Sequence, residues 1–166
     1  TVFVSNAQYA PIKWSKFDEG IYYSVMNGPR KSKVADSKVD VIKIIPSLYN
    51  FDLVIASQTD SVFKTLPEWC AEKQLLFAVN AGMYSLGNRY KATGFMKNQT
   101  YTNNPVFKDG FRAVLAFNPT KKGIPVFRII DLENEKFEDF ENDYHCFVQS
   151  IRLINNKGEA IYWNPK

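Results

Sequence analysis

One of two β-hairpin signals in the chain lies at 111-FRAVLAFNPTKKGIPVFRIID-131, and the other surrounds the turn 156–158. Two runs rich in β-branched and aromatic residues, 111–118 and 124–131, flank a segment that contains Pro119 and Gly123. Proline fixes φ, and glycine accepts backbone conformations that other residues avoid, so both favour turns. The stretch therefore predicts two antiparallel strands joined by a turn.

Similar β-type runs recur along the chain. Further predicted strands lie at 20–26, 39–45, 52–57, 75–80, 146–154 and 159–163. The partial alternation of apolar residues in 39–45 predicts a strand that is buried on both faces. One short helix is expected at 66–73, with Thr65 as its N-cap and Pro67 in its first turn. The sequence predicts an α+β protein, with a central mixed or antiparallel β-sheet and a few short helices.

Composition narrows the function classes. The chain has 166 residues, of which 45% are hydrophobic and 23% charged, and this suits a single domain over 1–166. Its formal net charge is +4, but the basic residues cluster only in short segments such as 30–33 and 121–122. Nucleic-acid-binding proteins usually carry a denser basic stripe or a reading motif, so we expect no nucleic-acid partner. No apolar run reaches the roughly 18 residues of a membrane span, and none is expected.

Cysteine and histidine are too few for a zinc site. The chain has two cysteines, Cys70 and Cys146, and one histidine, His145, without a Cys-x-x-Cys pair. We therefore predict no zinc site built from Cys and His and assign no metal-binding residue, and the sequence identifies no cofactor. Neighbouring residues on a strand point to opposite faces, which argues against a catalytic pair of His145 and Cys146. Both cysteines are expected as buried free thiols, with a disulfide left open.

A polar loop ends one of the predicted strands within 77-FAVNAGMYSLGNRYKATGF-95. The amide of Asn80 can both donate and accept hydrogen bonds, which suits a polar ligand. A positive φ at Gly82 would let a ligand approach the backbone closely. Met83 and Tyr84 would supply an apolar and an aromatic wall. The alternative is an ordinary turn, because Asn and Gly end strands on their own.

The same loop carries a family resemblance. The string AVNAGMY at 78–84, followed by TGFM at 93–96, resembles a hallmark of the phosphodiester glycosidase family. The segments 14-WSKFDEGIYYS-24, 65–84 and 143-DYHCFVQSIRLINNKGEAIYW-163 are similar to further family motifs, in the same order. The family includes the uncovering enzyme, which removes N-acetylglucosamine from phosphodiester-linked mannose on lysosomal glycoproteins. It also includes bacterial secreted or lipid-anchored members, which this chain resembles most.

The resemblance implies a hydrolase that cleaves a sugar from a sugar-1-phosphodiester or a related glycoconjugate. Its partner would be a glycan or sugar-phosphate substrate, and its location would be extracytoplasmic, with a leader outside this chain. The catalytic candidates are Asn80 and Gln149. The substrate-binding candidates are Gly82, Met83, Tyr84, Thr93, Gly94 and Arg152. A non-catalytic carbohydrate-binding module on the same fold is the alternative, and a basic nucleic-acid-binding domain is a weaker one.

The resemblance also implies that a part of the family domain is missing. Family members continue with a Ser-containing strand and a segment that contains Gly and Glu, whereas this sequence stops at Lys166. No pair of Asp or Glu residues stands at a spacing diagnostic of glycosidases. The sequence therefore assigns no general acid or base, and the resemblance leaves open whether these carboxylates lie within the chain or beyond Lys166. A phosphodiester is already a good leaving group, so donors near the phosphate matter more than a strong acid.

Basic and amide side chains are the better-placed candidates within the chain. Arg152 could bind phosphate bidentately, or it could form an ion pair on the outward side of a strand. Gln149 and Arg152 should point to opposite faces of that strand unless a bulge intervenes. Of the two, we favour Gln149 as a site residue. Arg89 and Lys91 lie on the loop after Asn80, which could cover the site, and they could bind phosphate from that side.

Overall fold

The computed structural model describes residues 12–28, 31, 33–34 and 36–161. The chain forms two compact units, Thr1–Asn50 and Phe51–Lys166, and each is described by itself. The prediction of one domain over 1–166 stays a prediction. Among the described residues, no helix is long and apolar enough to cross a membrane.

The first unit contains a three-stranded antiparallel sheet. Its strands, in spatial order, are β1 (Ser15–Asp18), β2 (Ile21–Asn27) and β3 (Lys38–Ile44). The predicted strands 20–26 and 39–45 are therefore confirmed as β2 and β3. Burial of β3 on both faces is wrong, because every residue of this edge strand is exposed or half-buried.

The second unit contains a two-stranded pair and a larger sheet. The pair consists of β4 (Tyr84–Ser85) and β5 (Asn88–Ala92). The strands of the larger sheet are β6 (Met96–Asn98), β7 (Tyr101–Asn104), β8 (Ala113–Pro119), β9 (Phe127–Asp131) and β10 (Tyr144–Ser150). These five strands are antiparallel, in the order β7-β6-β10-β8-β9. The hairpin predicted from 111–131 is confirmed as β8 and β9.

The central strand β10 is buried on both faces of this sheet. The face that carries Phe147 and Gln149, here the Phe147 face, packs against one apolar cluster. Its buried members are Phe95, Val114, Ala116, Ile130, Tyr144 and Phe147. The opposite face, here the Val148 face, packs against a second cluster. Its buried members are Leu53, Ile55, Phe117, Cys146 and Val148. Burial on both faces explains the uninterrupted apolar run 146–148 at the middle of β10.

The helix α1 (Leu66–Lys73) begins and ends where the sequence predicted. The Glu68 N–H donates to Thr65 Oγ1 at 3.5 Å, and the Thr65 N–H donates to Glu68 Oε2 at 2.6 Å. This reciprocal pair is a capping box, which satisfies two backbone donors that a helix start leaves free. Gln74, in a left-handed conformation with φ +53°, ends the helix.

Two predicted strands, 52–57 and 75–80, are wrong. The first runs unpaired along the sheet, where Leu53 and Ile55 are buried, and then enters a 3₁₀ turn at Ala56–Gln58. The second is irregular, and Val79 is 71% exposed. Apolar β-formers fit any extended segment, and strand pairing depends on partners that are distant in sequence.

The end of the described chain is also less regular than predicted. Of the expected strand 159–163, Ala160 forms an isolated bridge to Ile154 across a turn, and 162–163 lie outside the described residues. Within the described part, strands arranged in sheets dominate, with one α-helix and three 3₁₀ turns. The predicted α+β class with an antiparallel sheet is confirmed.

Candidate functional site

The loop that carries Asn80 lies against the Val148 face of the sheet. A Cβ added to Gly82 would stand 3.3 Å from Val148 Cγ1 and 3.5 Å from Met96 Cε. The predicted positive φ at Gly82 is wrong. The glycine is needed because the backbone approaches the sheet so closely, and a side chain would lift the loop.

Asn80 itself is exposed on this loop. Its Oδ1 accepts a long hydrogen bond of 3.5 Å from the Gly82 N–H, which is the local contact expected of an Asn that forms a turn. No hydrogen bond from its Nδ2 is found within the described part of the chain. The turn and the ligand-binding interpretations are therefore compatible, because the turn leaves the amide accessible.

The hairpin β4–β5, which follows the loop in the sequence, carries exposed aromatic and cationic side chains. Met83 and Tyr84 are exposed, and 54% of Tyr84 is accessible to solvent. The guanidinium carbon of Arg89 lies 5.8 Å from the ring centroid of Tyr84 and 5.2 Å from that of Phe63. No carboxylate among the described residues forms an ion pair with Arg89. The two rings therefore hold the guanidinium in place, and none of these carboxylates neutralises its charge.

Thr93 and Gly94 connect the loop to the sheet. The Thr93 N–H donates to the Met83 carbonyl at 2.8 Å, which joins two predicted binding residues. Gly94 is buried, and a Cβ added there would lie 2.7 Å from Gln149 Oε1 and 3.2 Å from Phe111 Cδ2. Gly94 is thus required for the packing of Gln149, and it contacts the sheet from the Phe147 face.

Gln149 is fully engaged in backbone contacts. Its Oε1 accepts hydrogen bonds from the N–H groups of Phe95 (3.0 Å) and Lys108 (2.8 Å). Its Nε2 donates to the carbonyls of Lys108 (3.1 Å) and Phe111 (2.8 Å). Together these contacts use both donors and both lone pairs of the amide. The structure does not bring this amide to Asn80, because Gln149 lies on the Phe147 face.

Arg152 forms the ion pair that the sequence left open as its alternative, but it is 9% exposed and follows the end of β10 instead of facing outward on a strand. Its guanidinium contacts the carboxylates of Asp131 and Glu133. Burial alone would raise the pKa of Asp131, but hydrogen bonds from Asn134, from the Glu133 N–H and from Arg152 outweigh it and lower that pKa. Two carboxylates therefore already balance the charge of Arg152, and the structure does not join it to the Asn80 loop.

The thiol of Cys146 is a packing group. Its Sγ donates to Asn98 Oδ1 at 3.2 Å and accepts from Asn118 Nδ2 at 3.5 Å. Burial raises the pKa of the Cys146 thiol, which makes it a poor nucleophile. His145 is exposed on the same strand, in keeping with the alternation that argued against a catalytic pair. Both cysteines are free, and Cys70 is half-buried rather than buried.

Sequence reasoning missed two aromatic residues of this surface. Phe63 and Tyr90 stack with ring centroids 4.3 Å apart and an interplanar angle of 15°. Both are exposed, at 51% and 40%. Phe63 precedes α1, whereas Tyr90 lies on β5, so only the fold brings them together. No periodicity in the sequence could have indicated the pair.

No protein-family model matches this chain, and no curated protein or solved structure was found to match it. The resemblance to the phosphodiester glycosidase family therefore stays a prediction that depends on the quoted motifs. Within the residues that the structure describes, no group of three or more His, Cys, Asp or Glu side chains is arranged to hold a metal ion.

Proposed function

We propose that this chain is a hydrolase of the phosphodiester glycosidase type, which cleaves a sugar from a sugar-1-phosphodiester or a related glycoconjugate. The observation that carries the proposal is Arg89, an exposed cation without a carboxylate partner among the described residues. It lies over Tyr84, which directly follows the Asn80 loop in the sequence. An exposed cation over an exposed ring, on the hairpin that follows the accessible Asn80 amide in the sequence, fits the anion, the ring and the hydroxyl groups of such a substrate.

Each side chain has a role in this proposal. Tyr84 stacks on the C–H face of the sugar, as exposed aromatic rings do with ring-shaped ligands. The amide of Asn80 binds a sugar hydroxyl, because it can both donate and accept. Arg89 pairs with the phosphate through two parallel N–H···O bonds. The contacts of Arg89 with Tyr84 and Phe63 hold its guanidinium in place and leave its charge available.

The reaction adds water across the bond between the anomeric carbon and the phosphate oxygen. The products are the free sugar and a phosphate monoester, which leaves with the bonding electron pair. The transition state resembles an oxocarbenium ion on the sugar, with negative charge growing on the leaving oxygen. Arg89 stabilises that charge where it develops, so that a strong general acid is not required.

A sugar-binding module without catalysis is the second candidate, and the carboxyl groups favour it. A general acid at neutral pH needs a raised pKa. Among the described carboxyl groups, those with a shifted pKa all shift downwards, through hydrogen bonds that stabilise the charged form. They are Asp60, Glu68, Glu72 and Asp131. The group that would activate the water is not assigned.

The test is the release of N-acetylglucosamine from its 1-phosphomethyl diester by the purified protein, with any sequence that follows Lys166 included. Arg89→Ala should lower kcat/KM by about 10- to 100-fold, the usual effect of losing a hydrogen bond to a charged group. Arg112→Ala is the matched control, because it also removes an exposed arginine but from another part of the chain. Arg112 lines a cleft together with Gln149. Binding of the diester without release would favour the module, and neither binding nor release would reject both candidates.

A further inference from the structure

We infer that Phe63 and Tyr90 form a subsite for a ring on the leaving side of the substrate, beyond the phosphate. This inference rests on the proposed function and assigns two specificity-determining residues to the same site. The row of contacts runs from Tyr84 to Arg89 (5.8 Å), from Arg89 to Phe63 (5.2 Å) and from Phe63 to Tyr90 (4.3 Å). Its order is therefore ring, cation and paired rings.

That order matches the covalent order of a diester. If Tyr84 receives the sugar and Arg89 the phosphate, the group on the other side of the phosphate meets Phe63 and Tyr90. These two rings are stacked on each other and half of Phe63 is exposed, so they offer apolar surface to solvent. A methyl group would cover little of it, whereas a ring would bury much more apolar area.

The subsite is also held in place before any ligand arrives. Asn103 Nδ2 donates to the Tyr90 carbonyl at 2.6 Å, and Asn103 Oδ1 accepts from the Ala92 N–H at 2.7 Å. The same Nδ2 donates to Ser57 Oγ at 2.9 Å, and Tyr101 Oη donates to that oxygen at 2.8 Å. This network holds the backbone of β5 in place. A ring platform that is already fixed loses less conformational entropy when it binds.

A ring on the leaving group could be a sugar or an aryl group, since both stack on aromatic side chains. The experiment therefore compares three diesters of N-acetylglucosamine-1-phosphate, which carry a methyl, a benzyl or a hexosyl group. Turnover and calorimetric binding are measured for each with the same chain. We expect kcat/KM for at least one ring-bearing diester to exceed that of the methyl diester by about tenfold, the size of one stacking contact.

Tyr90→Ala should bring that ratio close to one, and Tyr90→Phe should retain it, because phenylalanine keeps the ring. Circular dichroism spectra that match the wild type establish that both variants fold. A wild-type ratio near one would overturn the inference, as would a ratio that survives Tyr90→Ala. If no diester is turned over but ring-bearing diesters still bind more tightly through Tyr90, the hydrolase proposal fails and the subsite stands.

A basic surface with stacked rings also suits single-stranded nucleic acid, and this outcome is included in the test. Oligothymidylate is titrated into the chain at several salt concentrations. Binding that falls steeply with salt, is lost in Tyr90→Ala and exceeds the binding of all three diesters would overturn the assignment to a diester. Weak binding that Tyr90→Ala does not change supports it.

Discussion

Replacing Gln149 by leucine should remove the hydrogen bonds that hold two segments of the chain against the sheet. The wild-type amide binds the N–H of Phe95, both backbone groups of Lys108 and the carbonyl of Phe111, at distances of 2.8 to 3.1 Å. Leucine has a similar volume but cannot form any of these four bonds. The segment that contains Gly94 and Phe95 and the segment 108–111 would then lose their common anchor.

The expected loss of stability follows from which of these groups are buried. Phe95 and Phe111 are buried, whereas Lys108 is exposed and can turn its backbone groups to water. A buried group left without a partner costs about 1–3 kcal/mol. With two such groups and a partial offset from the added apolar burial, the free energy of unfolding should fall by about 2–4 kcal/mol. Tm should then fall by on the order of 10 °C.

Thermal melts followed by circular dichroism measure this shift. His145→Ala is the control on the same strand, because His145 is exposed and its change should stay within about 0.5 kcal/mol. A Gln149→Leu variant that melts like the wild type would refute the reasoning. If that variant also lost turnover of a sugar-1-phosphodiester, the catalytic role predicted from the sequence would be the better explanation of Gln149.

Three further predictions concern other contacts of the second unit. Asn103→Ala should raise KM for ring-bearing diesters more than it lowers kcat, because it loosens the Tyr90 backbone. Steady-state kinetics would measure the change in each constant. The pKa of Asp131 is lower in the folded chain than its unfolded value near 3.8, so its ionised carboxylate stabilises the fold at pH values above 3.8. This contribution is lost as the pH falls through the folded pKa. Asp131→Asn should therefore flatten the acid limb of urea-measured stability, and an unchanged limb would contradict it. Thr65→Ala should cost about 1 kcal/mol in the same assay.

Local signals account for the parts of the fold that the sequence predicted well. The hairpin of β8 and β9 follows from β-type runs on either side of Pro119 and Gly123, and Gly123 has the positive φ of +91° that such a turn requires. The helix α1 follows from Thr65, Pro67 and Glu68, which act within one turn. In both cases, all the determinants lie within a few residues of one another.

Non-local contacts account for the failures. The segments 52–57 and 75–80 have strand-like composition, but neither is paired in the sheet of the second unit. Gly94 and Gln149 were both identified as site candidates, yet their relation is one of packing, with a Cβ at Gly94 only 2.7 Å from Gln149 Oε1. The stack of Phe63 on Tyr90 is equally invisible to any local pattern. The sequence can identify residues that matter without stating what they touch.

The neighbouring residues Val148 and Gln149 show how one strand can support chain segments on both faces of the sheet. Val148 supports the Asn80 loop, which approaches it through Gly82, while Gln149 anchors the chain on the opposite face. The contacts that the structure shows for these two residues are thus packing and backbone hydrogen bonds on the two sides of β10, and the catalytic role predicted for Gln149 stays a prediction. In the proposed hydrolase, substrate contacts at this surface come from the Asn80 loop and from Arg89, and the group that activates water would have to face them.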